Sequence, residues 1–143
     1  MKKTFLILPV VMLLIAACSG AKNMSLDKKP LLVIENPNWF KVMPGQQDAK
    51  KFSVLMLPVA VVLENYQPDS IYFQGYHEAL NYSIYQDKPV YRAQFFERSD
   101  RPKVEPPFAI EKDQALMSYY TQDSLKRFIR ITDIVQGETI FMP

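Results

Sequence analysis

The adjacent residues His77 and Glu78 offer one route to proton-transfer chemistry in this chain. A carboxylate that orients an imidazole can raise its basicity and make it a general base. Neighbouring residues of a strand point to opposite faces, however, so in an extended segment these two side chains cannot meet. We therefore expect His77 to be a structural, partly exposed histidine, and a base only if a carboxylate from another strand reaches it.

Other residue combinations that catalysis requires are absent from the sequence or unspecific. Carboxylate pairs such as Glu64 with Asp69, or Asp100 with Glu105, are of the type that glycosidases use, but most such pairs are simply solvated. The four glycines form no nucleophile elbow, P-loop or dinucleotide-binding turn. One histidine and one cysteine are too few for the usual zinc sites. We expect a protein that is not an enzyme and that needs no metal or cofactor.

The N-terminus has the order of a bacterial secretory signal. Lys2 and Lys3 precede an apolar run over residues 5–17. That run has 13 residues, whereas a membrane-spanning helix needs about 20. We therefore expect residues 1–17 to be a cleaved signal peptide.

Residues 15–18, with the sequence Ile-Ala-Ala-Cys, resemble the lipobox of bacterial lipoprotein precursors. In that family the cysteine carries diacylglycerol and becomes the first residue of the mature chain. The resemblance implies that Cys18 is lipidated, and two or more acyl chains, at about 0.8 kcal/mol per buried CH2, hold a protein stably on a bilayer. Ser19, in place of an aspartate, resembles the Gram-negative signal for the outer membrane, so we expect a periplasm-facing protein there. The alternative is an ordinary secretory signal with Cys18 near the cut by chance.

Removal of the signal leaves a mature chain with no formal net charge. The full chain has 17 basic and 15 acidic residues, and two of the basic ones are Lys2 and Lys3. A protein that binds nucleic acid needs a basic excess to neutralise phosphates. Nucleic acid is therefore not an expected partner.

The elements that must position these residues are mostly short strands. Residues 18–29 are small and polar, which predicts a flexible tether to a single domain over residues 30–143. In that domain Val, Ile, Tyr and Phe concentrate in short runs bounded by turn residues, which is typical of an all-β, two-sheet sandwich of immunoglobulin-like or related topology. The predicted strands are residues 31–34, 39–42, 52–57, 59–64, 71–73, 80–85, 90–96, 128–135 and 139–142.

Two hairpins and one helix are predicted within this pattern. The clearest hairpin joins residues 80–85 to 90–96, because both segments alternate and the residues between them favour a turn. A second hairpin is predicted to turn at Gln136-Gly137. One short helix is expected over residues 111–126. In a helix its apolar side chains would share a face: Ala115, Leu116, Tyr119 and Tyr120.

A proline-rich segment over residues 99–108 predicts a stiff, charged, exposed loop. Loops carry binding functions more often than strands do. We therefore select partner-binding candidates in and after this segment: Arg98, Asp100, Arg101, Tyr119 and Tyr120.

Nine of the 18 aromatic residues lie between residues 66 and 96. Most of these are expected to pack in the core and across strands. Tyr85 and Phe96, however, share the polar phase of the central hairpin with Arg92, so one sheet face is predicted to be an amphipathic contact surface. Tyrosine beside arginine suits a protein partner, while an open row of tyrosines would also suit sugars.

Residues 68–73, 82–85 and 89–96 resemble segments of small periplasmic lipoproteins proposed as immunity proteins of type VI secretion systems. The resemblance covers residues 31–97, although that family carries a cysteine pair that this chain lacks. It implies an inhibitor that neutralises a toxin entering the periplasm. The alternative is a structural or accessory lipoprotein of an envelope assembly, secretion or glycan-binding system.

Overall fold

A computed structural model describes residues 24–29, 31–62, 65–98 and 100–143 of the chain. The predicted signal peptide and the predicted lipidation at Cys18 lie outside these residues. Within them the chain forms strands and no helix. The strands are β1 (Ser25–Asp27), β2 (Leu32–Ile34), β3 (Asn38–Met43), β4 (Phe52–Val62), β5 (Gln67–Phe73), β6 (Tyr76–Ala79), β7 (Asn81–Tyr85), β8 (Lys88–Phe96), β9 (Ala115–Tyr120), β10 (Lys126–Ile131), β11 (Val135–Gln136) and β12 (Ile140–Phe141).

The strands form two sheets that pack as a sandwich, which confirms the predicted fold class. The five-stranded sheet has the order β1-β10-β9-β5-β6, and only β1 pairs in parallel within it. The seven-stranded sheet has the order β11-β3-β4-β8-β7, with β12 also on β3 and β2 also on β4. One apolar core fills the space between the two sheets.

Aromatic rings join the sheets at the centre of this core. Phe73 of β5 lies with its ring centroid 5.9 Å from that of Trp39 on β3 and 6.0 Å from that of Phe95 on β8. Because β5 belongs to one sheet and the other two strands to the opposite sheet, these contacts hold the layers together. Separations of 4.5–7 Å are typical of favourable aromatic pairs.

The helix predicted over residues 111–126 is wrong, because this region forms the antiparallel strands β9 and β10. β9 lies between β10 and β5, and its residues from Ala115 to Tyr119 are buried. A strand covered on both faces has a continuous apolar run instead of an alternating one, and such a run is easily mistaken for a helix face.

The hairpin predicted at Gln136-Gly137 is also wrong. β11 and β12, which flank these residues, do not pair with each other, and each pairs in parallel with β3. The Gly137 N–H donates to the Trp39 carbonyl at 2.7 Å, so the segment follows β3 along its edge.

The predicted tether over residues 18–29 overlaps the folded domain. Ser25–Asp27 form β1, which pairs in parallel with β10, and Asp27 approaches Arg127 within 3.8 Å. The domain therefore begins inside the segment that composition alone assigns to a linker.

The predicted central hairpin is confirmed as β7 and β8. Its turn residues Gln86 and Asp87 both have positive φ, 50° and 61°. Two successive positive φ values define a type I′ turn, whose twist matches that of the flanking strands.

Candidate functional site

The proline-rich segment and Ala109, which follows it, contact part of the outer face of the five-stranded sheet. The Phe108 ring packs on Phe128 of β10 with centroids 5.5 Å apart, and Arg130 Nη2 donates to the Ala109 carbonyl at 2.9 Å. Leu116, in the alternate phase of β9 to the core residues, is consequently buried. The segment is exposed and charged as predicted, but one side of it packs against this sheet.

The structure does not gather the five predicted contact residues into one surface. Arg98 is half-buried and Asp100 and Arg101 are exposed, all just after β8. Tyr119 and Tyr120 lie on β9 with opposite orientations, and Tyr119 is buried in the core, where a partner cannot reach it. The choice of Tyr119 therefore needs correction, while the other four stay predictions.

The Tyr119→Phe substitution is expected to stabilise the protein. The Tyr119 hydroxyl is buried with no hydrogen-bond partner among the described residues. An unsatisfied buried polar group costs about 1–3 kcal/mol, so its removal should raise the free energy of unfolding by about 1 kcal/mol. Denaturant titration measures this, with Tyr120→Phe as the exposed control on the same strand. A decrease for Tyr119→Phe would contradict the prediction.

The outer face of the seven-stranded sheet is open and carries exposed apolar side chains, whereas the other sheet is partly covered by the proline-rich segment. Tyr85 and Phe96, predicted to be on the exposed phase, are 56% and 38% exposed. Other exposed apolar side chains of this sheet, counted over both of its faces, are Val33, Val61, Val62, Tyr82, Ile84, Val135, Ile140 and Phe141. An uncovered apolar area of this kind is typical of an interaction surface.

A groove of about 970 Å³ lies on this open face. Its apolar lining includes Phe40, Met56 and Ile140, and Tyr85 lies on the side of the edge strand β7. Its charged lining residues are Glu35, Lys88 and Arg92. We call this feature the β7 groove.

A polar cluster occupies the five-stranded sheet where β5 has an irregular register between Pro68 and Ser70. Such bulges redirect a side chain, here that of Asp69. Asp69 Oδ2 accepts hydrogen bonds from Ser118 Oγ at 2.9 Å and from Ser70 Oγ at 3.1 Å, and Lys126 Nζ lies 2.9 Å away. One carboxylate oxygen thus connects three strands of the sheet.

His77 joins this cluster through a hydroxyl. Its Nε2 lies 2.7 Å from Ser70 Oγ, and its ring stacks on Tyr72 with centroids 4.0 Å apart. In a hydrolase triad the imidazole lies between hydroxyl and carboxylate, whereas here the Ser70 hydroxyl lies between His77 and Asp69. The carboxylate therefore competes for the serine proton and does not orient the imidazole, which favours a structural role for the cluster.

Burial and the charges of the cluster shift the pKa values of His77 and Asp69. Burial and then the Lys126 ammonium lower the pKa of His77, against the opposing carboxylates of Asp69 and Glu78. Burial opposes ionisation of Asp69, but Lys126 and the two serine hydroxyls outweigh it, so the Asp69 pKa is lowered. The net effect makes His77 less basic than a free histidine, even though Asp69 opposes this shift.

Sequence reasoning missed this cluster because its serines are 48 positions apart. The one signal was Pro68, since a proline within a strand marks an edge or a bulge. Neither Ser70 nor Ser118 has a spacing that suggests their contact.

The described ranges contain no group of three or more His, Cys, Asp or Glu residues placed to hold a metal ion. In the same part of the chain there is no helix with the length and hydrophobicity to cross a bilayer. Comparison with protein-family models, curated proteins and solved structures finds no match.

Proposed function

We propose that this protein is a lipid-anchored, non-catalytic component of a Gram-negative cell envelope, and that its β domain binds another protein. The observation that carries the proposal is the difference between the two outer faces. The proline-rich segment packs on the five-stranded sheet through Phe108, while the seven-stranded sheet exposes Ile84, Tyr85 and Ile140 along the β7 groove. An apolar face of this type is stable in water when a partner covers it.

The anchor in this proposal is the lipid on Cys18. The lipobox-like residues 15–18 support it, and the outer membrane is the proposed location because Ser19 follows the cysteine. Radiolabelled palmitate incorporation into the full chain tests the anchor directly. The Cys18→Ala variant is expected to lose the label and to leave the membrane fraction.

The partner in this proposal is a toxin that enters the periplasm. The resemblance of residues 68–73, 82–85 and 89–96 to proposed immunity lipoproteins supports this class of partner. An inhibitor needs a binding surface and no chemistry, which agrees with a polar cluster in which Asp69 competes with His77 for the Ser70 proton.

Gene deletion followed by competition tests the inhibitor role. Deletion mutants are expected to grow normally alone and to be killed in contact with parental cells that deliver the toxin. Re-expression of the full chain should restore survival, and the Cys18→Ala variant should restore it less.

A growth or envelope defect of the mutant in pure culture would contradict the inhibitor role and would favour an accessory lipoprotein of an envelope machine. Survival of the mutant at parental levels in both cultures would also contradict it.

A further inference from the structure

We propose that strand β7 binds an extended, acidic and apolar segment of the partner protein, which adds to the seven-stranded sheet as a further strand. This inference rests on the proposed function and specifies the chemistry of its partner. In such β-augmentation the backbone hydrogen bonds provide affinity, and alternate side chains provide specificity.

β7 is an edge strand without the usual protection. It pairs with β8 along one side, and no described strand pairs with its other side. Its sequence, Asn81–Tyr85, contains no proline and no charged residue. Proline, lysine and inward-pointing charges are the features that normally prevent an edge from pairing with another chain.

The other edges of the described sheets are protected or very short, and β2, which pairs with β4, has three residues. On β6, the edge of the five-stranded sheet, the side chains include His77 and Glu78. β1 carries Asp27 in an ion pair with Arg127, and β11 and β12 have two residues each. β7 is therefore the edge best suited to accept a strand.

The register of the hairpin shows which backbone groups are available. Tyr85 and Lys88 flank the two-residue turn and form its closing pair, so their backbone groups point toward each other. Because hydrogen-bonded and non-hydrogen-bonded pairs alternate, Tyr82 and Ile84 direct their N–H and C=O groups away from β8. Pro89, opposite Ile84, has no N–H to donate, which agrees with this register.

The side chains at these two positions are also open to a partner. Tyr82 is 61% exposed and Ile84 is 68% exposed. An added strand would cover both with its own apolar side chains.

Two cations beside β7 indicate which side chains an added strand would need on its other face. Lys88 lies opposite Tyr85 and Arg92 lies opposite Asn81, both one strand in from the edge. Both cations line the β7 groove and are exposed, and neither is in an ion pair with a described residue. Alternate acidic side chains of an added strand would complement them.

The test uses the lipidated full chain in detergent and a fluorescent peptide of alternating valine and glutamate. Two matched peptides have lysine in place of glutamate, or N-methylated backbone amides throughout. Fluorescence anisotropy is expected to give at least about tenfold tighter binding for the acidic peptide than for either control.

Two variants test whether the peptide binds at the edge of strand β7. Ile84→Lys introduces an edge lysine and is expected to weaken binding at least about tenfold, because the valine side chains of the added strand would cover its ammonium group. Val104→Lys is the matched control, since Val104 is 43% exposed on the proline-rich segment. Combined Lys88→Glu and Arg92→Glu substitutions should reverse the preference toward the basic peptide. Unchanged thermal midpoints establish that each variant is folded.

Equal binding of the three peptides, or an unchanged affinity of Ile84→Lys, would overturn the proposal. Dimerisation of the full chain that Ile84→Lys abolishes would also overturn it, because a second copy would then occupy the edge. Protection from a toxin in the competition experiment together with equal peptide binding would leave the proposed function standing and reject this mode of binding alone.

Discussion

The Phe73→Ala substitution is expected to destabilise the protein by about 3–5 kcal/mol, the range for truncation of a buried phenylalanine. Phe73 is 2% exposed and connects the two sheets through its contacts with Trp39 and Phe95. Its removal leaves a cavity that neither sheet can fill without moving relative to the other. Since whole domains are stable by about 5–15 kcal/mol, this one change should shift the denaturation midpoint markedly.

Phe96→Ala is the matched control for this prediction. Phe96 is 38% exposed on the open face and packs on Phe52 with ring centroids 5.6 Å apart. Its truncation removes less buried area than that of Phe73 and opens no cavity between the sheets, so we expect a smaller loss, of about 1–2 kcal/mol. Equal losses for the two variants in denaturant titration would contradict the position assigned to Phe73 between the sheets.

The contrast between these two residues shows what could be predicted about the fold. Alternation alone predicts Phe96 on the exposed phase and Phe95 on the core phase, because the period of a strand is a local property. The same reasoning failed for residues 111–126. There both faces of β9 are covered, so burial depends on the distant proline-rich segment and the local pattern loses its period.

The parallel pairing of strands could not be predicted from the sequence, for a related reason. A hairpin is local, so the β7–β8 turn could be recognised from Gln86 and Asp87. By contrast, three short strands pair in parallel with a strand to which no tight turn connects them. β1 pairs with β10, and β11 and β12 both pair with β3. Their short sequences contain no signal for these partners, which explains the incorrect hairpin at Gln136-Gly137.

The candidate functional residues also differ in whether local sequence could identify them. The exposed phase of Tyr85 was predictable, and with it the amphipathic face. The free edge of β7 was not, because it depends on the order of strands in the sheet. Tyr119 was a wrong choice of contact residue, because the sequence around a tyrosine does not show whether its side chain is exposed beside a loop or buried in the core.

Replacement of Ser118 by alanine is expected to destabilise the protein by about 2–3 kcal/mol, because it leaves buried polar groups without partners. Ser118 is fully buried, and its Oγ accepts the Ser70 N–H at 3.2 Å and donates to Asp69 Oδ2 at 2.9 Å. Both interactions are lost together. The cluster holds the irregular register of β5 against β9, so the loss should also loosen this part of the sheet.

A double-mutant cycle separates the cluster from simple truncation. If Ser118 and Ser70 act through their shared hydrogen bonds, the Ser70→Ala change should have less effect in the Ser118→Ala background than alone, with a coupling of about 1 kcal/mol. Ser83→Ala on β7 is the control, since no described side chain bonds to its hydroxyl, and it should change stability by less than about 0.5 kcal/mol. Hydrogen exchange at the Ser70 amide provides a local measurement, because its N–H loses the Ser118 acceptor and should exchange faster. Additive effects with unchanged exchange at Ser70 would mean that the five side chains of the cluster are neighbours without being a cooperative network, and the irregular register of β5 would then need another source of stability.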